Sequence, residues 1–335
     1  MIVTANAAVG RPWAHHAIAI LAGFTAGAVF LFGIFDMSAP GNPVRNAPGV
    51  DIGIMVTAAV AAALASKPVR EWLARYMPVN PDNPVHSYAL VLSVILIGTQ
   101  IAPLMFTDVL ATVSHLQPLS IGDLFAQEIP FAIIAAAGVG IYIRRSPELT
   151  AERLGVVRPQ WWHVTMALAA AAALWGVNLG AGWLSHTLTP TLADRVDSSS
   201  NHLFGGLINP AGIAALAVLP GICEELLFRG ALQPRFGLFA TAALFTAIHT
   251  DYGLTIDLLT IFLLAIGLGL LRRYANTTSS MTCHATYNLL VGLGITGLGA
   301  IGVGAAAVVL LAVTALQVQR RRRAEPVVSE TESVR

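Results

Sequence analysis

Residues 207–229 read LINPAGIAALAVLPGICEELLFR, an uncharged apolar run that ends in two glutamates and, four residues later, an arginine. A run of this length suits a membrane-spanning helix, which needs about 20 apolar residues. The whole chain of 335 residues has a similar composition, because 56% of its residues are hydrophobic and 11% are charged. Soluble proteins carry about 25% charged residues. The sequence therefore excludes a soluble domain and predicts an all-α polytopic membrane protein.

Charge-free runs along the chain predict a bundle of about ten transmembrane helices. Several runs are short, so eight or nine helices would also fit. The predicted spans lie at 11–36, 51–67, 82–108, 128–144, 158–194, 207–224, 235–251 and 257–272, with two more inside 273–320. Residues 1–206 would hold the first five helices, to which the sequence assigns no role. Residues 207–318 would form a core of five further helices, and residues 319–335 a basic and polar cytoplasmic tail.

Loop charges set the expected orientation and location. Loops rich in basic residues alternate with loops that hold few, and ten spans with both termini in the cytoplasm fit this alternation. Of the 19 basic residues 18 are Arg, and Ala, Gly and Val are abundant, which indicates a GC-rich bacterial genome. We therefore expect a multi-pass protein of the inner (plasma) membrane. The net charge of +1 offers no basic patch for nucleic acid, and the sequence leaves the oligomeric state open.

Six polar residues fall in or beside predicted spans in the last third of the chain. Ionisable groups inside a bilayer are costly, and by default they are functional-site candidates. The candidate catalytic residues are Glu224, Glu225, Arg229, His249, His284 and Asn288. Cys223 and Cys283 each precede one of them, which turns the thiol about 100° away on a helix. We expect both cysteines to be small buried residues rather than nucleophiles.

The spacing around Gly237 predicts that two of these residues lie at the same depth in the membrane. Glu225 lies 12 residues before Gly237 (237 − 225), and His249 lies 12 residues after it (249 − 237). If the chain turns at Phe236-Gly237 and the next helix returns antiparallel, both residues lie about 18 Å from the turn at about 1.5 Å per residue. The acid and the imidazole would then face each other from different helices.

Spacings within each helix add pairs of residues that share a face. Glu225 and Arg229 are four residues apart, so they can form an ion pair, and we favour a structural role for this pair. His284 and Asn288 have the same spacing. Glu224 lies about 100° around the helix from Glu225. It is therefore free to act independently of the ion pair.

The chemistry that fits this set is hydrolysis of a peptide bond. Glu224 is a candidate general base for an activated water, and His249 could hold or polarise the same water. His284 and Asn288 could stabilise the oxyanion. A divalent metal such as zinc, held by Glu224, His249 and His284, is an alternative to a mechanism without a cofactor. The sequence has no His-Glu-x-x-His helix, so the usual zinc spacing does not appear.

Three short motifs in this region resemble those of the CPBP family of intramembrane proteases. That family includes the type II CAAX prenyl endopeptidases and relatives tied to bacteriocin self-immunity. The motifs are, in chain order, Glu224-Glu225-x-x-x-Arg229, Phe245-x-x-x-His249 and His284-x-x-x-Asn288. Each motif alone is weak, but all three occur in the family's order within residues 208–294. The first five predicted helices lie outside the resemblance.

The resemblance implies a glutamate-dependent endopeptidase with its site inside the membrane and open toward the cytoplasm. It implies that Glu224 works as the base with His249, and that His284 and Asn288 form the oxyanion site. Both a metal-dependent and a metal-free mechanism are argued for the family. The partners would be the lipid bilayer and a peptide or protein substrate. Phe245 is expected to pack beneath the site.

Two other functions compete with an intramembrane endopeptidase. A membrane binding or bacteriocin-immunity protein of the same family could keep these residues without turnover. A proton-coupled transporter also uses intramembrane acids and histidines. Transport would favour acids spread along a pathway and inverted repeats, whereas this chain has one compact cluster and no visible repeat.

Overall fold

A computed structural model describes residues 1–11, 13–38 and 48–324 of the chain. The protein is 82% helical and has no strand in these ranges, so the predicted all-α class is confirmed. The helices are α1 (Ile2–Ala7), α2 (Ala14–Ser38), α3 (Pro48–Leu64), α4 (Lys67–Leu73), α5 (Pro84–Phe106), α6 (Val109–Val113), α7 (Ile121–Val139), α8 (Pro147–Leu154), α9 (Trp161–Leu188), α10 (Pro190–Phe204), α11 (Pro210–Glu225), α12 (Gln233–Phe236), α13 (Leu238–Ala247), α14 (Ile256–Tyr274), α15 (Thr277–Gly292) and α16 (Leu298–Ala324). A π-helical segment, Leu226–Leu232, joins α11 to α12.

Five helical segments in the described part of the chain are long and apolar enough to cross a membrane. They are α5, α7, α9, the continuous segment Pro210–Phe236, and Leu298–Arg320 within α16. The pair α3 and α4, bent by 89°, would make a sixth if it counts as one span. The described structure thus supports a helical membrane bundle but not the predicted count of about ten.

Two of the missing spans show that a charge-free run need not form a helix of bilayer length. The run predicted as the seventh span forms α13, which has 10 residues and is therefore about 15 Å long. The hydrocarbon core is about 30 Å thick. The ninth predicted span forms α15, which has 16 residues and begins with a polar run of threonine and serine. Both helices carry or flank candidate site residues and are partly enclosed by longer helices.

Local sequence signals explain where the site-bearing helices begin and turn. Asn209 caps α11 by accepting a hydrogen bond from the Gly212 backbone N–H, and Asn276 caps α15 in the same way. Gly237 separates α12 from α13 with φ at +81°. Only glycine adopts this left-handed backbone readily. The turn predicted at this position is therefore present, and α13 begins directly after it.

The bundle is built around α11, which packs against α15 and α7, while α9 packs against α14, α15 and α16. One buried cluster includes Phe228 and Phe245, and a second joins Trp175 of α9 with Leu268 of α14. Large apolar side chains such as Phe239 and Ile301 point outward and are about 70% exposed. A surface this apolar fits a surrounding lipid phase. The helix α16 runs through Arg320 to Ala324, and the remainder of the predicted tail, 325–335, lies outside the described residues.

Candidate active site

The adjacent acids Glu224 and Glu225 end α11, at the point where the chain passes into the π-helical segment Leu226–Leu232. A π-helical turn accommodates an extra residue and is frequent at functional sites. Both acids are buried, with 3% and 0% of their surface exposed. Unpaired buried charges are costly, so the partners of each carboxylate decide what it can do.

Glu225 forms a buried ion pair with Arg229. The Arg229 Nη1 atom lies 2.8 Å from Glu225 Oε1, and its Nη2 atom donates to the backbone carbonyl of Ala265 at 3.2 Å. The guanidinium also lies over the ring of Phe245, with Cζ 4.3 Å from the ring centroid. The ion pair that the four-residue spacing predicts is therefore present, and its structural role stays a prediction.

Glu225 also orients a histidine. His284 Nδ1 lies 3.0 Å from Glu225 Oε1, and the Ser280 hydroxyl donates to Glu225 Oε2. A carboxylate only accepts hydrogen bonds, so Nδ1 of His284 carries the proton. The other ring nitrogen, Nε2, faces Glu224 Oε2 at 3.9 Å. Glu225 therefore fixes both the tautomer and the direction of the His284 ring.

His249 is oriented in the same manner from another part of the chain. It directly follows the last turn of α13, and its Nδ1 atom lies 2.9 Å from the backbone carbonyl of Phe245. Since a carbonyl only accepts, Nδ1 carries the proton, and Nε2 faces Glu224 Oε1 at 3.9 Å. The ring stacks on Phe245 with centroids 4.8 Å apart. Its side chain is 26% exposed, so His249 forms the open side of the cluster.

Glu224 thus lies between two imidazole Nε2 atoms, one facing each carboxylate oxygen. A separation of 3.9 Å is too long for a direct hydrogen bond and is short enough for one water or one substrate atom to contact both groups. The Oε2 atom of Glu224 is buried and has no hydrogen-bond partner among the described residues. Orphaned buried oxygens are rare in folded proteins and commonly mark functional groups.

The structure brings five of the six candidate residues into one contact network and places the sixth beside it. Glu224, Glu225, Arg229, His249 and His284 are linked as described above. Asn288 lies one turn beyond His284 on α15, and its Nδ2 atom donates to the Leu216 carbonyl of α11 at 3.2 Å. This bond ties α15 to α11. Cys223 and Cys283 are buried free thiols, as expected.

Two further residues of the site were not singled out from the sequence. Ser280 binds Glu225, and its signal is only a position four residues before His284 in a polar run. Glu128 is buried in α7 and interacts electrostatically with Glu224. Its Oε2 atom also has no hydrogen-bond partner in the described part of the chain. Glu128 appeared only as the border of a predicted span, although an acid inside an apolar helix is itself a functional signal.

The alternative of a zinc site can be compared with this geometry. One carboxylate and two imidazoles are ligands that zinc accepts. Within the residues that the structure describes, however, no three His, Cys, Asp or Glu side chains form a group that could hold a metal ion. Glu224, His249 and His284 as arranged do not fit a three-ligand zinc site, and we derive no step through a metal.

Close approach of two helices holds this geometry. A Cβ atom added at Gly221 would lie 2.9 Å from both the backbone N and the Cβ of Ala285, next to His284. We expect Gly221→Ala to lower the free energy of unfolding by about 1–3 kcal/mol, because α11 and α15 must separate. Thermal unfolding of the purified protein in lipid bicelles measures this change.

The matched control for Gly221 is Gly176 in α9, where an added Cβ meets nothing within 4 Å. Gly176→Ala should leave stability unchanged or raise it by up to about 1 kcal/mol through helix propensity. Equal unfolding temperatures for the two variants would show that the packing of α11 against α15 does not require a glycine at position 221.

The fold and its apolar surface define a multi-pass helical membrane protein with a buried cluster of acids and histidines. Residues 207–290 match the family model for type II CAAX prenyl endopeptidase Rce1-like proteins. This match confirms the resemblance to the CAAX protease family, and it supports a peptidase with a peptide or protein substrate. It covers a quarter of the chain and includes all six candidate residues. No curated protein and no solved structure matches the chain.

Proposed function

We propose that this protein is an intramembrane endopeptidase that hydrolyses a peptide bond of a membrane-associated protein or peptide. The observation that carries the proposal is the buried carboxylate of Glu224, which faces the Nε2 atoms of His249 and His284 at 3.9 Å each. Glu225 and Arg229 neutralise each other. Glu224 is therefore the acid in this cluster whose charge is not already balanced by a contact.

In the proposed reaction, Glu224 takes a proton from a water molecule that attacks the peptide carbonyl. A general base must reach the proton it removes, directly or through one water. His249 would orient the water, because its Nε2 atom accepts a hydrogen bond while Nδ1–H is held by the Phe245 carbonyl. Glu224 would then return the proton to the leaving amine.

His284 and Asn288 are proposed to stabilise the oxyanion. With Nδ1–H held by Glu225, the Nε2 atom of His284 can donate to an oxyanion when the ring is an imidazolium. The amide of Asn288 carries two N–H groups. One donates to Leu216, and the second would serve the substrate.

The proposal also assigns residues 207–318 as the protease core and places the protein in a bacterial inner membrane with both termini in the cytoplasm. The role of residues 1–206 is partly one of support, because α7 packs against α11 and carries Glu128. The alternative is a binding or immunity protein that keeps the same residues without turnover.

The test compares membrane peptides produced by the wild-type protein and by Glu224→Gln after reconstitution into liposomes with membrane proteins of the host. Peptide fragments that the wild-type protein produces and Glu224→Gln does not would support the endopeptidase. Identical fragment sets from both proteins would remove Glu224 from the chemistry and favour the binding role. Metal analysis of the same purified samples, with and without a chelator, tests the metal-dependent alternative.

A further inference from the structure

A second charged feature lies outside the acid and histidine cluster. A surface cleft of about 730 Å³ is lined mainly by arginines, and six of its residues are charged. The charged lining residues are Arg144, Arg145, Glu152, Arg153, Arg235 and Arg272. We call this feature the arginine cleft. Five cations and one acid give it a formal charge of +4 in a protein whose net charge is +1.

The arginine cleft is assembled from four separate parts of the chain. Arg144 and Arg145 follow α7, Arg153 belongs to α8, Arg235 belongs to α12, and Arg272 lies near the end of α14. Loop charge alone predicts which face of the membrane these residues occupy. It does not predict that they line one concave surface.

The positive charge of the cleft is not balanced by the protein. None of the five arginines forms an ion pair with a carboxylate in the described ranges, whereas Arg195 and Arg229 both do. The pKa of Arg153 is lowered to about 10, mainly by burial. The positive charges of the neighbouring arginines contribute to the same shift, namely Arg235, Arg145, Arg272 and Arg144. Mutual repulsion of this kind is relieved by a bound anion.

Hydrogen bonds to backbone carbonyls and to one side-chain amide hold several of these guanidinium groups in place. Arg153 Nη1 donates to the Gly230 carbonyl at 3.1 Å, Arg272 Nε donates to the Arg229 carbonyl at 3.3 Å, and Arg144 Nε donates to Asn6 Oδ1 at 2.9 Å. Each contact uses one of the five N–H groups of a guanidinium. The remaining N–H groups are oriented in advance, which lowers the entropy lost when a ligand binds.

We propose that the arginine cleft binds a phosphate group, supplied either by the headgroup of an acidic phospholipid or by free phosphate. Guanidinium groups bind phosphate through paired N–H donors, and several converging arginines can contact more than one oxygen of the same phosphate. Arg144 and Arg145 follow the apolar helix α7, and Arg235 lies at the end of the apolar segment Pro210–Phe236, so in a bilayer the cleft would lie at the ends of two spans, where lipid headgroups are found. This inference does not depend on the proposed endopeptidase activity.

The test uses Arg235→Gln and Arg235→Glu, because Arg235 is exposed and lines the cleft. The control variants are Arg273→Gln and Arg273→Glu, which make the same charge changes at an exposed residue next to Arg272 that does not line the cleft. Titration with phosphatidylglycerol and phosphatidylcholine, read by native mass spectrometry, measures binding of the lipid headgroup. Titration with inorganic phosphate at constant ionic strength, read by thermal unfolding, measures binding of free phosphate.

We expect Arg235→Gln to weaken phosphate binding about fivefold and Arg235→Glu about 25-fold, which corresponds to one and two charges near a headgroup. The Arg273 variants should bind as the wild type does. If the Arg235 variants lose affinity only for phosphatidylglycerol, the bound phosphate belongs to a lipid headgroup. If they lose affinity only for inorganic phosphate, the bound group is a free phosphate ion. Phosphate binding that is weakened equally by the Arg273 variants, or that does not change in either Arg235 variant, would overturn the proposal.

Thermal unfolding of each variant without ligand shows whether the variant is folded. If Arg235→Glu is unstable, Arg144→Gln is used for the same binding measurements.

Discussion

Glu224→Gln is expected to lower the rate of peptide cleavage by about 10²- to 10⁴-fold, the usual contribution of a general base. Glutamine has nearly the same shape as glutamate but cannot take a proton from water. The Oε2 atom of Glu224 has no hydrogen-bond partner among the described residues, so the amide breaks no contact there. The unfolding temperature should therefore stay at or above that of the wild type. Initial rates on a fragment-yielding substrate and thermal unfolding of the same samples measure both effects.

The control for this prediction is Glu71→Gln, which makes the same chemical change at an exposed acid in α4. Glu71 contacts Lys67 at 3.7 Å on the surface, where such pairs contribute little. Its cleavage rate should equal that of the wild type. A Glu224→Gln protein that cleaves within about threefold of the Glu71→Gln rate would contradict the general-base role, since base removal costs at least about 10²-fold.

Glu225→Gln is expected to act on stability instead, lowering the free energy of unfolding by about 3–5 kcal/mol. A glutamine oxygen in the place of Oε1 can still accept from His284, and the amide N–H in the place of Oε2 can donate to the Ser280 hydroxyl, so the change chiefly removes the charge that pairs with Arg229. Arg229 would remain as an unpaired cation with 1% of its side chain exposed. Equilibrium unfolding in mixed micelles measures the loss.

Two further proteins separate the ion pair from general effects of charge removal. Arg195→Gln breaks the Arg195–Asp108 pair, whose atoms are 2.6 Å apart but whose side chains are 44% and 55% exposed. This substitution should lower the free energy of unfolding by less than about 1 kcal/mol. The double variant Glu225→Gln/Arg229→Met should recover part of the lost stability, because no unpaired charge remains. A Glu225→Gln protein as stable as Arg195→Gln would show that burial does not strengthen this pair.

The two neighbouring acids show which contacts residue spacing alone can predict. The four-residue spacing predicted the pairing of Glu225 with Arg229, and the equal distances from Gly237 predicted that His249 would lie at the depth of Glu225 and face it. The ion pair is present, with Arg229 Nη1 2.8 Å from Glu225 Oε1. The acid that His249 faces is the neighbouring Glu224, with Nε2 3.9 Å from Oε1. Helical rise and periodicity are local rules, so spacing along the chain is enough to apply them.

Other features depend on which helices pack together. The contact of Ser280 with Glu225 and the burial of Glu128 beside Glu224 join helices that are far apart in the chain. The arginine cleft likewise joins residues from α8, α12 and α14 with the loop after α7. Two of the predicted spans, the seventh and the ninth, form the short helices α13 and α15, which longer neighbours hold in place and which a charge-free run does not reveal.

The amino-acid sequence by itself determined the helical membrane class and the motif residues, because hydrophobicity and helical geometry act over a few neighbouring residues. Only the tertiary structure decided which imidazole nitrogens face Glu224, which acid is balanced by an arginine, and which arginines line one cleft. Those properties follow from the packing of α7, α11, α13, α14 and α15. Side chains from separate helices acquire a shared environment only when the helices meet.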